Sequence, residues 1–381
     1  SAAMKKLALS LALVLFLEGP VLATCGGGGG GGVGGVSPSG GQEAVATYQV
    51  PWKVVTAEAP KPEGLLIAYW FPTSPEQARS SDLQGSRVLT LGDARCVTPA
   101  LVPADLTALR SQYQLADGVA AVVVVSAADG VEIGRVAAPA GKALGRSEVE
   151  KVVNAAINAR EKAIDQQLDG ASAKEKAGDK EGAIALYNQV YEQRCFAPLP
   201  AKKAAKALKK LGQAVSEDAS LDLPLPDLRA KTETRIARAL ADGLRAENEL
   251  RLADAERHYQ AARKIDLADP VPLRYLGELE RHHTGEWGRA KATFEKLLSL
   301  RADALSRAVA LHGLGKMTIH GGEFKKGLGL FEESVRTFPL PIAYRNLAVF
   351  WNSEGDPQKA YGYTQQALAL DPDDRYNQIF G

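Results

Sequence analysis

The sequence predicts an α+β chain of more than one domain, with an α/β domain over residues 43–160 and an all-α solenoid of about five helical hairpins over 161–381. Two observations carry this. A small residue recurs at Ala255, Ala290, Gly327 and Ala360, at spacings of 35, 37 and 33, which is the length of one helical hairpin. Upstream, residues 65–71 form an unbroken apolar run, as a strand buried on both faces requires.

The N-terminus comes first. Lys5 and Lys6 precede an eleven-residue apolar run, 7–17, followed by Gly19-Pro20 and small residues. Charged, apolar, then small is the order of a secretory signal over residues 1–24, too short to span a membrane as a mature helix. Ser1-Ala2-Ala3 ahead of Met4 reads as a cloning scar or a misplaced start. Leu22-Ala23-Thr24-Cys25 resembles a bacterial lipobox, and the resemblance implies cleavage before Cys25 and acylation of that residue. Thr24 departs from it, since Gly, Ala or Ser is usual there. Val21-Leu22-Ala23 also fits an ordinary signal-peptidase site. The expected locations are therefore a bacterial cell envelope, lipid-anchored on the periplasmic side of the outer membrane, or a soluble periplasmic or secreted state. Gly26, where Asp would retain a lipoprotein elsewhere, is compatible with outer-membrane sorting.

Residues 25–42 are then a lipidated cysteine and a tether, with glycine unbroken from 26 to 32. Such a chain buries no apolar area, and about seventeen residues of it reach roughly 20–25 Å. A low-complexity expansion without a role is the other reading.

Beyond 65–71 the expectation is a loop over 72–81, weaker strands at 87–91 and 95–97, and a helix over 104–113 through Leu106, Leu109 and Tyr113. A strand at 119–125 turns at Asp129-Gly130 into a return strand at 131–136. A helix follows from Ser147, with Ser147 as N-cap and Glu150 completing a capping box. This order, and residues 106–135 above all, resembles the thioredoxin fold over about 90 residues. A working member needs Cys-x-x-Cys at a helix N-terminus, where the dipole lowers the first thiol's pKa. Here the loop after the first strand reads Pro72-Thr73-Ser74-Pro75-Glu76-Gln77, and Ala120 stands where the family has its substrate-contacting cis-proline. The resemblance therefore implies a redox-silent domain kept as a scaffold or docking surface.

Two further thiols remain, Cys96 and Cys195. In an oxidising compartment they could pair and link the domains, or stand separately. No His lies near Cys96 in sequence to activate it as a lone reactive thiol.

In the helical region a bulky residue follows each small one by four: Tyr259, Phe294, Phe331, then Thr364. Leu276-Gly277, Leu314-Gly315 and Leu347-Ala348 precede them, Gly285, Gly322 and Gly355 mark turns, and Pro339 and Pro372 close two units. The pattern resembles the tetratricopeptide repeat (TPR) family, in which two antiparallel helices cross closely where side chains are small. Gly178, Ala183, Tyr187 and Val190 fit the same template over 171–193. Between them lies an irregular joint near 195–228, with a helix over 200–214, a non-helical stretch at 221–226 and a long helix over 227–250.

The resemblance implies a groove lined by the first helix of each unit, binding a protein or peptide. Two residues before each Leu of the pairs stand Arg274, His312 and Arg345; two after stand Glu278, Lys316 and Val349. Arg274, His312, Lys316 and Arg345 could hold a carboxylate or acidic peptide through forked hydrogen bonds, or be ordinary solvated positions. One extra residue lies between Gly277 and Gly285. His282-His283 reads as a turn-facing polar pair, and Glu247, Glu249 and Glu256 as solvated ion-pair partners. At the C-terminus Tyr376, Ile379 and Phe380 could fold back over the last unit or leave an open contact surface.

With 46 basic and 45 acidic residues there is no global field for nucleic acid. No phosphate loop, nucleophile elbow, zincin motif or carboxylate pair is recognisable, so no enzyme activity, cofactor, metal or small-molecule substrate is expected. The functional expectation is an envelope-anchored scaffold for protein–protein contact, touching the membrane through its lipid only. The alternative is an auxiliary factor in periplasmic thiol or protein maturation.

Overall fold

The computed structural model describes residues 48–58 and 62–372. The expected leader 1–24, Cys25, the tether and residues 373–381 lie outside the described residues. The chain forms two compact units, one holding Tyr48–Arg229 and Ser299–Asp303, the other Ala230–Leu298 and the residues from Ala304 on.

The first unit is built on a five-stranded sheet: β1 (Lys53–Val54), β2 (Leu66–Phe71), β3 (Val97–Leu101), β4 (Ala121–Ser126) and β5 (Glu132–Ala137), in the order β1-β3-β2-β4-β5. β3 runs parallel to β1 and β2; β4 is antiparallel to β2 and β5 to β4. Strands β2 and β3 are buried throughout, and β4 all but its last residue, which is why they read as continuous apolar runs. The edge strand β5 alternates between half-buried and exposed residues. Ile67, Tyr69, Phe71, Val123 and Val125 share one cluster with Tyr113.

Three local expectations are corrected. The 72–81 loop contains helix α1 (Pro75–Ser80), nucleated by Ser74, whose hydroxyl accepts from the Gln77 amide at 3.1 Å, and by Pro75 at the first position. Residues 87–91 form no strand. They lie in helix α2 (Arg87–Asp93), because Ser86 caps it through the Leu89 amide and burial from Arg87 to Gly92 outweighs β-propensity. Helix α3 (Thr107–Gln112) follows β3. The capping box at Ser147 is absent: the next helix, α4 (Arg146–Lys176), has Gly145 as its N-cap, and Glu150 accepts from Arg146 Nε and Ser86 Oγ, both at 2.7 Å.

α4 is 31 residues long, so residue 160, the expected boundary between domains, falls inside a continuous helix. Its first half lays Val149, Val153, Ala156 and Ile157 into the core; its second half pairs with α5 (Lys180–Glu192) as a helical hairpin turned at Gly178, whose φ is +84°. After α5 come α6 (Pro198–Lys210) and a single 3-10 turn at Ala219–Asp222, inside the stretch expected to be irregular. Cys96 and Cys195 are joined by a disulfide within this unit, with Cα atoms 6.1 Å apart.

The second unit stacks hairpins α7 (Ala230–Asn248) with α8 (Leu252–Ile265), α9 (Val271–Glu278) with α10 (Trp287–Leu298), α11 (Ala304–His320) with α12 (Phe324–Thr337), and α13 (Pro341–Ser353) with α14 (Pro357–Leu370). Their crossings explain the sequence pattern. A Cβ on Gly243 would lie 2.3 Å from the Tyr259 ring, and one on Gly277 or Gly313 2.4 Å from Phe294. The last hairpin departs from this pattern, with Ala348 buried on its first helix and Thr364 buried on its second. In the first three hairpins glycine and aromatic trade volume across the crossing, as again at Gly315, where an added Cβ would lie 2.8 Å from the Phe331 ring, which is TPR-like packing. The chain is mostly a helical, TPR-like solenoid with one small sheet.

Candidate functional site

The residues of the expected groove stand on α9, α11 and α13, and the structure separates them by burial. Arg274 is buried, 5 % exposed; its Nη1 donates to Ser306 Oγ at 3.2 Å and its guanidinium lies 5.5 Å from the Tyr275 ring centre. His312 is also buried, 1 % exposed, stacked on Phe331 at 5.6 Å, with Nε2 2.7 Å from Asn346 Nδ2. An amide nitrogen donates, so Nε2 accepts and the ring is neutral. Burial holds its pKa well below the usual histidine range, and the nearby charges of Arg281, Lys316 and Arg345 push the same way. His312 is therefore no solvated groove cation: the helices that flank it close over the ring. Lys316 and Arg345 remain half-buried beside it, and Val349, one turn after Arg345, is exposed.

The extra residue after Gly277 has a structural outcome. Leu279–His283 forms a π-helical turn, the usual way a helix absorbs one added residue. That turn buries Arg281, which forks onto Glu278 at 3.1 and 2.7 Å with both side chains under 10 % exposed. It also brings His283 Nε2 to 3.1 Å from Glu247 Oε1, while the Tyr259 hydroxyl donates to Glu247 Oε2 at 2.6 Å. Glu247 is 3 % exposed, so the expectation of a solvated ion-pair residue is corrected; burial raises its pKa. Glu256 does pair with Arg289, and Glu249 with Arg251, on exposed surface. His282, beside His283, is half-buried, and burial with the neighbouring Arg281 lowers its pKa. Sequence reasoning missed Arg281 and Asn346; the one signal for the former was the extra residue, and the latter had none.

In the first unit, the segment after β2 and the segment before β4 meet at a small cavity of about 60 Å³ lined by Trp70, Gln77, Ser80, Ser81, Ala120, Ala143 and Leu144. Arg110 fixes this corner by donating to the carbonyls of Ala116, Val119 and Pro72 at 2.9–3.3 Å. No thiol lines it, and its chemistry is that of an apolar niche rimmed by hydroxyls. Among the described residues no group of three or more His, Cys, Asp or Glu could hold a metal ion, and no helix is long and apolar enough to cross a membrane.

No protein-family model matches this chain. It is similar to the Photosystem I assembly protein Ycf3 of Rippkaea orientalis, 27 % identical over 97 residues, 25 % of this chain and 56 % of that protein. The chain thus spans about half the length of the curated relative it matches. Among solved structures it is similar to PilW, a widely conserved type IV pilus biogenesis factor, at 14 % identity and a TM-score of 0.33, over 57 % of this chain and 83 % of that one. It is similar to a chain of the APC/C hetero-tetramer Cut9–Hcn1 at 12 % identity and a TM-score of 0.33, over 56 % of this chain and 41 % of that one. It is also similar to YrrB, a TPR protein with an unusual peptide-binding site, at 14 % identity and a TM-score of 0.29, over 57 % of this chain and 95 % of that one.

Proposed function

We propose that this protein is a protein-binding scaffold, anchored to the cell envelope through an acylated Cys25, that captures an acidic segment of a partner against α11 and α13. The observation that carries the reading is the pair Lys316 and Arg345, half-buried beside the neutral His312, with the exposed Val349 one turn on. A partly desolvated cation binds a carboxylate more strongly than one in bulk water, and the neighbouring Val349 offers apolar contact. Arg274 and His312 serve this reading from inside, as packing rather than contact. That the similar Ycf3 protein is an assembly protein fits a non-catalytic scaffold.

The test places a photo-crosslinking residue at Val349 and isolates the adduct from the native envelope. Lys316→Ala with Arg345→Ala is expected to weaken capture of the same partner by roughly tenfold or more, since two charge-assisted contacts are lost. Unchanged retention would end the idea. Incorporation of labelled fatty acid that disappears in Cys25→Ser tests the anchor separately.

A second reading takes the first unit as a thioredoxin-like domain that has lost its dithiol and assists protein maturation. The strand order β1-β3-β2-β4-β5 with antiparallel β4 and β5 supports it, as does the niche at Trp70 and Ala120. Insulin should not be reduced; turnover that depends on Cys96 would replace this reading with a catalytic one.

A further inference from the structure

Helix α6 carries Lys202, Lys203, Lys206, Lys209 and Lys210, all exposed, opposite a buried face of Ala201, Ala204 and Leu208. At 3.6 residues per turn the five lysines cover roughly a 120° arc, and Leu199, Lys203, Lys206 and Lys210 form one row about 16 Å long. Leu199 heads that row and is 71 % exposed.

Three of the lysines have acidic neighbours: Lys202 with Asp222, Lys209 with Glu217 at 3.7 Å, and Lys210 with Glu175 at 3.0 Å. Asp222 and Glu217 are 69 % and 92 % exposed, and pairs in such water-filled settings hold their lysines weakly. Lys203 and Lys206 have no ion-pair partner among the described residues, so the face keeps a net positive charge.

We infer that this face of α6 contacts an anionic lipid surface, with the lysines on headgroup phosphates and Leu199 dipping below them. Three features select lipid over other anionic partners. No aromatic residue interleaves the lysines, as base stacking would need. Every cation on the face is lysine, a compact charge suited to a mobile layer of headgroups. Where this chain forks onto a defined carboxylate it uses arginine, as in Arg281 on Glu278. An exposed leucine in line with lysines is the composition of an interfacial helix face. The proposal does not depend on the TPR groove or on acylation of Cys25.

The test uses the chain from residue 25 with Cys25→Ser, so that no acyl group can hold it. Co-sedimentation is measured with vesicles of mixed phosphatidylglycerol and phosphatidylcholine, and with phosphatidylcholine alone. Binding is expected to the anionic vesicles only and to fall with salt. Lys203→Gln with Lys206→Gln is expected to lower partitioning roughly 25-fold, at about fivefold per lysine. Both side chains are exposed, and matched thermal melts verify that the fold is kept. Equal partitioning to neutral vesicles, or no effect of the double variant, overturns the inference. So does retention on immobilised polyglutamate without vesicle binding, which would assign the face to an acidic protein instead.

Discussion

The Tyr259 hydroxyl donates to Glu247 Oε2 at 2.6 Å across the crossing of α8 and α7, and Tyr187 donates to Glu175 Oε2 at 2.9 Å in the corresponding place on α5 and α4. The geometry is shared but the setting is not. Glu175 faces Lys210 at the surface, whereas the π-helical turn carrying His283 helps to cover Glu247. One repeat position has been turned from a wet contact into a buried acid.

That burial has a pH signature. Glu247 has its folded pKa raised by burial, against the lowering effect of Tyr259 and His283. A raised folded pKa contributes stability present below the unfolded carboxylate range and lost as pH rises through the folded value. Glu247→Gln keeps an acceptor for Tyr259 and removes the titration. Urea unfolding across pH 4–8 should show the variant gaining on the parent as pH rises. Glu280, also raised by burial, titrates in both proteins and cancels in the difference. A difference independent of pH would refute the assignment.

His312 predicts the opposite slope. Its folded pKa lies well below the model-peptide value of 6.5, so its contribution is present above that value and lost as pH falls. The imidazole signal in an NMR titration should stay neutral at pH 6, and His312→Phe should lessen the acid sensitivity of unfolding. The lost contact to Asn346 should lower overall stability by about 1 kcal/mol. A ring titrating near 6.5 would contradict this.

Helix crossings in the second unit should tolerate no added carbon. Gly277→Ala places a Cβ 2.4 Å from the Phe294 ring, an overpacking costing about 1–3 kcal/mol against a helix-propensity gain of about 1. The reverse change in the last hairpin, Ala348→Gly at a buried position, should cost about 1 kcal/mol through propensity and lost packing. Denaturant midpoints compare the two, and a stabilised Gly277→Ala would show that the crossing is looser than described.

The Cys96–Cys195 bond closes a long loop, with a sequence separation of 99. Chain entropy assigns such a cross-link about 4–5 kcal/mol at most, and removing one commonly costs 2–5 kcal/mol. Cys195→Ser should lower the melting temperature, and reductant should lower the parent's melt while leaving the variant's unchanged. Non-reducing peptide mapping should recover the linked pair; free thiol at both positions would remove the premise.

The repeat, its turns and its glycine–aromatic crossings were legible from residue order, because each depends on neighbours about one hairpin away. The helix at Arg87–Asp93 was not: Val88, Leu89 and Leu91 read as a strand, and only Ser86 as cap together with burial of Arg87 to Gly92 reverses that preference. Nor was the long α4, since Ala, Lys and Glu through residue 160 offer no stop signal and none that says which core each half serves.

By itself the sequence determined that helical hairpins repeat, where they turn, and which side chains must be small for two backbones to approach. The tertiary structure alone decided which charges meet water. Glu247, Arg274, Arg281 and His312 are written in the same alphabet as the exposed Glu249 and the half-buried Lys316, and only the helix that covers each one makes it buried, paired or neutral. Helix formation is a property of neighbouring residues, whereas desolvation belongs to whatever the rest of the chain brings on top.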